Sequence, residues 1–410
     1  MNLAVERPGA SPQPRESVLV YRDRLVPRSE VHFLRRQYMG FERLAPVWIG
    51  CRTDAGLAEL GAEPMILGRP GPIGDWDRFI FKQLGRLPPQ PDLKELRPRI
   101  VHAQFGRGGA LALPIARALG IPLVVTYHGG DATKDKHYDG RFPPTIYQRR
   151  LAQLQREAAR FICVSEFVRD RLVARGFPPE KLQVVRCGVE IDAHHASERP
   201  ADPPFVLFVG RFVEKKGIPH LIEAARMLAE EAKPVRLVLA GDGPLAGELR
   251  ERARGLENVV FTGWLPSKEV LRYMRGAAAL CVPSTGAKAG DAEGLPYVIL
   301  EAMAEGTPVI GSMHAGIGEA IEHGKTGLLV PPGAPRQLAE AIRAVAGDPE
   351  FRRALGAAAR NAAQERFNAA SQSRILEETL IEVIREHDVN RQGAEPRDFA
   401  AAPQRSAHAQ

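Results

Sequence analysis

The sequence is poor in cysteine and has no long apolar run. Its four cysteines among 410 residues are far apart and include no Cys-x-x-Cys pair, so neither a zinc ribbon nor a disulfide framework is implied, and a reducing compartment fits best. No stretch approaches the roughly 18 apolar residues of a membrane span, and the N-terminus has prolines and charges where a signal peptide needs an apolar run. We therefore expect a cytoplasmic protein.

Acidic residues are outnumbered by basic residues in the first half of the chain only. Residues 1–200 contain 31 Lys and Arg against 22 Asp and Glu, whereas residues 201–410 contain 25 against 27. Such one-sided basicity is typical of proteins that bind anionic partners, although it also fits a solvated, arginine-rich surface. The sequence has no basic stretch interleaved with aromatic residues and no zinc-finger spacing, so we expect no nucleic-acid partner.

Short β-branched runs alternate with longer amphipathic stretches, which predicts parallel sheets covered by helices on both faces. This alternation of strand and helix candidates begins again after a Pro- and Ala-rich stretch. We therefore predict an α/β fold with two doubly wound, Rossmann-like domains that face each other across a cleft. The predicted segments are a flexible N-terminus at 1–16, a first domain at 17–190, a linker at 191–204, a second domain at 205–370, a C-terminal helix at 371–387 and a disordered tail at 388–410. Ligands of such sheets bind beyond the carboxyl ends of the strands, so we expect the chemistry in the cleft.

Two cations follow the first predicted strand of the second domain. Arg211 follows Gly210 at the end of that strand, and Lys216 lies five positions later at the start of a predicted helix. Two cations beside a helix N-terminus suit a diphosphate, and the alternative is a pair of solvated surface charges.

Two glutamates flank a second predicted helix start. Glu293 precedes a turn of Gly294, Leu295 and Pro296, and Glu301 follows inside the helix. Proline fits the first turn of a helix, and carboxylates in an apolar helix start are hard to explain by packing. We interpret Glu301 as an acceptor from ribose hydroxyls and Glu293 as an acceptor from hydroxyls of a second sugar.

These two stretches resemble the retaining GT-B glycosyltransferases of family 4, also called group 1. The family mark is Gly-Arg-x4-Lys-Gly followed about 80 residues later by Glu-x7-Glu, and it is matched by Gly210, Arg211, Lys216, Gly217, Glu293 and Glu301. Further family-like segments are LAGDGPL, which includes Gly241, HAQFG, which includes His102, and VVTYHGGD, which includes His128 and Asp131. Within the family the chain is similar to the colanic-acid and exopolysaccharide branch, although Gln104 and Gly130 depart from its pattern.

The resemblance implies transfer of a sugar from a UDP- or GDP-sugar to a hydroxyl with retention, and neither a metal nor another cofactor. It implies catalytic roles for His128, Arg211, Lys216 and Glu293. It implies donor binding by Gly210, Gly241, Gly294, Leu295, Pro296 and Glu301, and acceptor binding by Glu30, His102 and Asp131. Asp75-Trp76-Asp77 spells a metal-binding Asp-x-Asp, but we place it in a Gly- and Pro-rich loop and interpret it as coincidence.

The expected acceptor is a lipid-linked oligosaccharide or a lipopolysaccharide or exopolysaccharide intermediate. The basic first half, including Arg35, Arg36 and Arg43 on what we predict to be one helix, favours peripheral contact with an anionic membrane. The alternatives are a transferase that uses a small soluble acceptor and a nucleotide-sugar 2-epimerase of the same fold.

Overall fold

Two parallel β-sheets form the framework of this computed structural model, which describes residues 15–31, 33–88, 93–140, 142–191, 204–231 and 234–394. The predictions for residues 1–14, for most of the linker and for residues 395–410 lie outside the described residues. The strands are β1 Glu16–Tyr21, β2 Arg24–Leu25, β3 Leu44–Gly50, β4 Arg52–Thr53, β5 Met65–Ile66, β6 Pro98–Gln104, β7 Leu123–Tyr127, β8 Arg160–Cys163, β9 Leu182–Val184, β10 Phe205–Val209, β11 Arg236–Ala240, β12 Val259–Gly263, β13 Ala279–Val282, β14 Val309–Ser312 and β15 Gly327–Val330.

Helices connect most of these strands. They are α1 Pro27–Glu30, α2 Gly71–Leu84, α3 Gly106–Leu119, α4 Gly130–Thr133, α5 Ile146–Glu157, α6 Glu166–Ala174, α7 Ile218–Ala229, α8 Ala246–Arg252, α9 Ser267–Gly276, α10 Tyr297–Ala304, α11 Ile317–Ala320, α12 Pro335–Gly347, α13 Pro349–Arg366 and α14 Ala369–Ala394. Among the described residues, no helix is both long and apolar enough to cross a bilayer.

Each sheet belongs to one domain. The first sheet has the order β5-β3-β1-β6-β7-β8-β9, and the second has the order β12-β11-β10-β13-β14-β15. In both sheets all paired strands are parallel, but the order in which strands are added reverses next to the first strand, as it does in doubly wound sheets. This confirms the predicted α/β fold with two Rossmann-like domains. We call β1–β9 with their helices the first domain and β10–β15 with α7–α13 the second domain.

The carboxyl edges of the two sheets meet at a cleft. Ser165, which caps α6 in the first domain, donates to the carbonyl of Gly294 at 3.2 Å. The carboxylate of Glu319 in the second domain accepts from the N–H groups of Glu166 and Phe167 at 2.9 and 2.8 Å. Because a carboxylate at a helix N-terminus satisfies free donors and opposes the helix dipole, Glu319 ties α6 to the second domain.

The last helix returns to the first domain. Leu376, Leu380, Val383 and Ile384 of α14 pack in the same buried cluster as Val18 and Trp48. The carboxylate of Glu377 accepts from the N–H groups of Glu42, Arg43 and Leu44 at 2.7–3.1 Å. The predicted tail is wrong for residues 388–394, which continue α14, and an ion pair between Arg99 and Asp388 holds this turn.

Two other predictions about the first domain are wrong. Asp75-Trp76-Asp77 lies inside α2 rather than in a loop, because Pro72 occupies the first turn of a helix, where its missing N–H costs nothing. Arg35, Arg36 and Arg43 do not share a helix. The 3-10 helix Leu34–Tyr38 ends before Arg43, since the chain turns at Gly40, whose N–H donates to Ser373 of α14.

Candidate active site

The second domain has a cavity at the carboxyl ends of β10 and β11, next to the point where the strand order of its sheet reverses. Gly210 follows β10 and Gly241 follows β11, and a Cβ atom on Gly241 would lie 1.9 Å from the carbonyl oxygen of Gly210. Glycine is therefore required for the two loops to touch. The loops border a cavity of about 740 Å³ that is lined by Val209, Gly210, Arg211, Ala240, Gly241, Asp242, Gly243, Trp264, Leu265 and Val270.

Arg211 lies at the wall of this cavity with an exposed side chain. Within the part of the chain that the structure describes, its guanidinium has no ion-pair partner. An exposed, unneutralised cation at the switch point of a parallel sheet is well placed for an anionic ligand.

Lys216 lies in the 3-10 turn Glu214–Lys216 that precedes α7, and its Nζ is 3.1 Å from the carboxylate of Glu293. Lys215 adds a second cation, with Nζ 3.5 Å from the same Glu293 oxygen and 3.2 Å from Asp291. Burial alone would raise the pKa of Glu293, but the two lysines outweigh it and lower that pKa. Glu293 is therefore ionised, and the structure brings this predicted pair together.

Glu301 lies in α10, behind the turn of Gly294, Leu295 and Pro296. Its carboxylate is 3.5 Å from Nη1 of Arg36, which reaches across from the first domain and also donates to the Tyr297 hydroxyl at 2.6 Å. Burial raises the pKa of Glu301, and Arg36 partly opposes the shift. The predicted ribose-binding carboxylate thus faces a cation of the other domain.

His128 lies at the end of β7, on the first-domain side of the cleft. Its Nε2 is 2.7 Å from the side-chain oxygen of Gln104, whose amide nitrogen donates to the Tyr38 hydroxyl at 2.7 Å. Because the side-chain oxygen of Gln104 can only accept a hydrogen bond, Nε2 of His128 carries the ring proton, and Nδ1 is left as an acceptor. Nδ1 is buried and has no hydrogen-bond partner among the described residues. Burial, with the nearby charge of Arg22, lowers the pKa of His128 to about 3, so the ring is neutral.

Asp131 holds the His128 loop in shape. Its carboxylate accepts from the N–H groups of Gly106, His128 and Gly129 at 3.0–3.1 Å, and so joins the ends of β6 and β7. Burial raises the pKa of Asp131, and these backbone donors oppose the shift. With its oxygens used in this way, Asp131 positions the loop.

Glu30 and His102, the other predicted acceptor residues, are fully buried in the first domain. His102 bonds the Tyr38 hydroxyl at 2.8 Å and the Thr126 hydroxyl at 2.7 Å, and the Glu30 carboxylate accepts from the N–H of Val26 at 2.6 Å and pairs with Arg22 at 2.9 Å. Neither side chain reaches the surface of the cleft in this structure.

Three further polar groups lie at the cleft, and none of them belongs to the motifs that mark the site in the sequence. Ser284 follows β13, and its buried Oγ has no hydrogen-bond partner among the described residues; the same is true of Nε2 of His314. Burial lowers the pKa of His314, and the charge of Glu293 opposes the shift. Lys215 is the third group, and its place beside Lys216 was the available signal. Unsatisfied buried donors and acceptors are costly, so a cluster of them is typical of a site that binds a polar ligand.

The structure describes no metal site at this cleft. Among the described residues, no three His, Cys, Asp or Glu side chains lie together in a way that could hold a metal ion. The positive charge beside the cavity comes from the side chains of Arg211, Lys215 and Lys216.

Two family descriptions match consecutive parts of the chain: "Glycosyltransferase Family 4" matches residues 46–193, and "Glycosyl transferases group 1" matches residues 190–362. The chain is 35% identical to the amylovoran biosynthesis glycosyltransferase AmsK of Erwinia amylovora over 250 residues. This aligned region covers 58% of this chain and 59% of AmsK. The chain is 34% identical over 256 residues to the putative colanic acid biosynthesis glycosyltransferase WcaL of Escherichia coli, covering 60% and 61%. The match therefore spans about three fifths of the length of these two relatives.

A longer match is to the alpha-D-kanosaminyltransferase of Streptomyces kanamyceticus, at 30% identity over 288 residues, 63% of this chain and 72% of that enzyme. Among solved structures, HepE from Anabaena in complex with UDP superposes with a TM-score of 0.72 at 20% identity, over 90% of this chain and 100% of HepE. This structural likeness supports the two-domain fold.

Proposed function

The chain belongs to the group 1 glycosyltransferases, and on that premise we propose that it transfers a sugar from a UDP- or GDP-sugar to a lipid-linked oligosaccharide, exopolysaccharide or lipopolysaccharide intermediate, with retention and without a metal. The observation that carries this proposal is the convergence in one cleft of Arg211, the Lys216–Glu293 pair and the free Nδ1 of His128.

Departure of the diphosphate is the step that needs positive charge. Cleavage of the anomeric C–O bond leaves negative charge on the diphosphate, and Arg211 and Lys216 bind it there, together with the N–H groups of the turn at Gly294 and Leu295. Fixed donors aimed at developing charge give large rate effects because they need no reorganisation. In this proposal the cations supply the charge stabilisation that a bound metal supplies elsewhere.

His128 and Glu293 contact the transferred sugar in this proposal. The neutral ring of His128 accepts a hydrogen bond from a sugar hydroxyl at Nδ1, since Nε2 is already used by Gln104. Glu293 is ionised and accepts from sugar hydroxyls through the oxygen that Lys216 does not hold. Asp131 keeps His128 in position by fixing the loop backbone.

The nucleoside occupies the cavity beside Gly210 and Gly241, and its ribose bonds Glu301. Arg36 now lies against Glu301, so ribose binding has to displace that guanidinium or share the carboxylate with it. A half-buried carboxylate suits two vicinal hydroxyls, because both can donate to it.

The proposed acceptor is supported by the relatives of the chain and by its charge, and not by the geometry of the donor site. AmsK and WcaL carry names that refer to amylovoran and colanic acid biosynthesis, which supports an exopolysaccharide acceptor. The basic first half supports the cytoplasmic face of an anionic membrane as the place of transfer. The burial of Glu30 and His102 favours a positioning role for both over direct acceptor contact.

The test is a screen of radiolabelled UDP- and GDP-sugars against lipid extract, with the anomeric configuration of the product determined by NMR. Label that moves into the lipid phase with retained configuration supports the proposal. Conversion of donor in water alone indicates an epimerase, and efficient transfer to a small soluble sugar indicates a soluble-acceptor transferase. Either outcome overturns the proposed acceptor.

A further inference from the structure

Phe105 lies in the turn that leads from β6 into α3, and its backbone is strained. Its φ of 67° and ψ of 149° fall in a region that is nearly confined to glycine. Its N–H donates to the carbonyl of Thr126 in β7 at 2.8 Å, and its carbonyl accepts from the N–H of Gly109 in α3 at 3.0 Å. A glycine at this position would make the same two hydrogen bonds without strain. The phenyl side chain therefore needs a reason other than the path of the backbone.

Packing in the first domain accounts for only part of this side chain. Phe105 is partly buried and touches the edge of the buried cluster that contains Val18 and Trp48. The glycine that the turn requires for space is the next residue, Gly106, where a Cβ atom would lie 2.6 Å from the ring of Tyr127. The turn therefore has its glycine where space is short and carries a phenyl ring at the position whose backbone angles favour glycine.

The other contacts of the Phe105 ring lie at the cleft. Its centroid is 4.5 Å from the centroid of the His128 ring, with an interplanar angle of 40°, and 4.4 Å from Cζ of Arg22. Phe33 also contacts His128, edge to face, at a centroid distance of 5.2 Å. The imidazole is therefore held by Gln104 at Nε2 and by two phenyl rings, which leaves Nδ1 as its acceptor.

We propose that Phe105 is a positioning residue for sugar transfer, whose ring sets the plane of the His128 ring and keeps water away from it. The hydrogen bond to Gln104 fixes one ring nitrogen but does not by itself fix the plane of the imidazole, and an aromatic ring packed beside it does. Backbone strain that the surrounding structure maintains is typical of residues at functional sites. This inference rests on the proposed function in taking His128 to contact the transferred sugar.

The surroundings of His128 give the phenyl ring a measurable effect. Burial lowers the pKa of His128 to about 3, and the charges of Arg22 and His102 add smaller effects in the same direction. Arg22 is itself paired with Glu30 at 2.9 Å, and the carboxylate of Asp131 binds the backbone of the loop. Because burial is the largest cause, water that replaces the phenyl ring raises the pKa of His128.

The test combines steady-state kinetics with NMR titration of the full chain labelled with ¹⁵N-histidine. Phe105→Gly removes both the ring and the strain, Phe105→Leu removes the ring but keeps apolar bulk, and Phe105→Tyr keeps the ring. We expect His128 to stay neutral down to about pH 5 in the wild type and in Phe105→Tyr, and to bind a proton above that pH in Phe105→Gly. The His128→Gln variant identifies the His128 signal.

The kinetic expectation concerns kcat. Phe105→Gly and Phe105→Leu are expected to lower kcat about tenfold or more with little change in KM for the donor, whereas Phe105→Tyr keeps most of the activity. Arg97→Gly is the matched control, because it also relieves a left-handed backbone, with φ of 46°, at an exposed residue that precedes β6. Circular dichroism melts establish that each variant is folded.

Unchanged titration of His128 in Phe105→Gly overturns the proposal, as does wild-type kcat in both Phe105→Gly and Phe105→Leu. An equal loss of kcat in Phe105→Tyr also overturns it, because the aromatic ring is then not the cause. The titration needs no turnover, so it tests the contact between Phe105 and His128 separately from the proposed transferase activity. Absence of transfer by the wild type, together with the expected titration, would instead refute the proposed function.

Discussion

The backbone of Gly294 lies directly against the carbonyl group of His128: a Cβ atom at residue 294 would be 2.2 Å from that oxygen. Gly129 makes the same approach from the other side, and a Cβ there would be 2.6 Å from the nitrogen of Gly294. Both residues lie in the cleft, one in each domain. Their contact requires the absence of a side chain, so it defines how closely the two domains can come together.

Gly294→Ala is expected to reduce transfer on the order of 10²-fold, because a displacement of about 1 Å between the domains misaligns the reacting groups. Gly294 has no left-handed backbone angle, so alanine does not strain its own turn. Steady-state kinetics and calorimetric nucleotide binding measure the two effects. We expect nucleotide binding to be retained.

Gly247→Ala is the matched control, since a Cβ there meets nothing within 4 Å. Wild-type turnover in Gly294→Ala would show that the close approach to His128 is not needed for transfer.

Arg211→Ala and Lys216→Ala are each expected to lower turnover on the order of 10²–10³-fold, because each removes one donor from the departing diphosphate. Thermal unfolding of Arg211→Ala should remain near that of the wild type because the Arg211 side chain is exposed, whereas Lys216→Ala leaves Lys215 as the remaining cation beside the buried Glu293 and should lower the unfolding temperature somewhat. Arg254→Ala removes an exposed arginine of the same domain and serves as the control. Normal turnover in either cleft variant would refute the diphosphate assignment.

Turnover is expected to survive EDTA. The reason is that Arg211, Lys215 and Lys216 already provide positive charge at the site, and the described residues contain no ligand cluster. The assay compares initial rates before and after chelation and after re-addition of Mg²⁺ or Mn²⁺. Activity that disappears with EDTA and returns with metal would contradict this prediction.

Glu301→Gln is expected to weaken nucleotide binding about tenfold, because a neutral amide binds ribose hydroxyls less strongly than a carboxylate does. Glu293→Gln should mainly slow transfer, since its carboxylate faces Lys216 and the proposed sugar site. Calorimetric titration with UDP or GDP separates the two variants. The opposite pattern would exchange their roles.

Stability should fall as the pH falls below about 6.5, in part because of His102. Burial lowers the pKa of His102 to about 3 from an ordinary value of 6.5. Between these values the unfolded chain binds a proton that the folded chain does not, so unfolding is favoured by about 1.4 kcal/mol per pH unit. Urea unfolding of His102→Gln between pH 6.5 and 5 should show a correspondingly smaller dependence on pH. An unchanged dependence would show that His102 is not held neutral.

Much of the second domain could be predicted from the sequence. The run of apolar residues fixes β10, and the strand-to-helix spacing places Arg211 and Lys216 at the carboxyl edge of the sheet. The spacing of Glu293 and Glu301 around Pro296 likewise follows from local helix rules. These are short-range relationships, which a sequence pattern records directly.

Contacts between distant segments could not be predicted in this way. Arg36 and Glu301 lie 265 positions apart, and Glu319 caps a helix of the other domain. The chain of hydrogen bonds from His128 through Gln104 and Tyr38 depends on the register of neighbouring strands. Such pairings follow from the folded arrangement of both domains, since nothing local in the sequence specifies the partner.

The return of α14 to the first domain also has a consequence for biosynthesis. A ribosome completes β1–β9 long before it reaches Leu376 and Glu377, which fill and cap the outer layer of that sheet. Until the whole second domain has been translated, the buried cluster that contains Val18 and Trp48 therefore lacks the side chains that α14 contributes to it. The packing of the first domain is therefore completed only after the second domain has been synthesised, because the helix that completes it comes last in the chain.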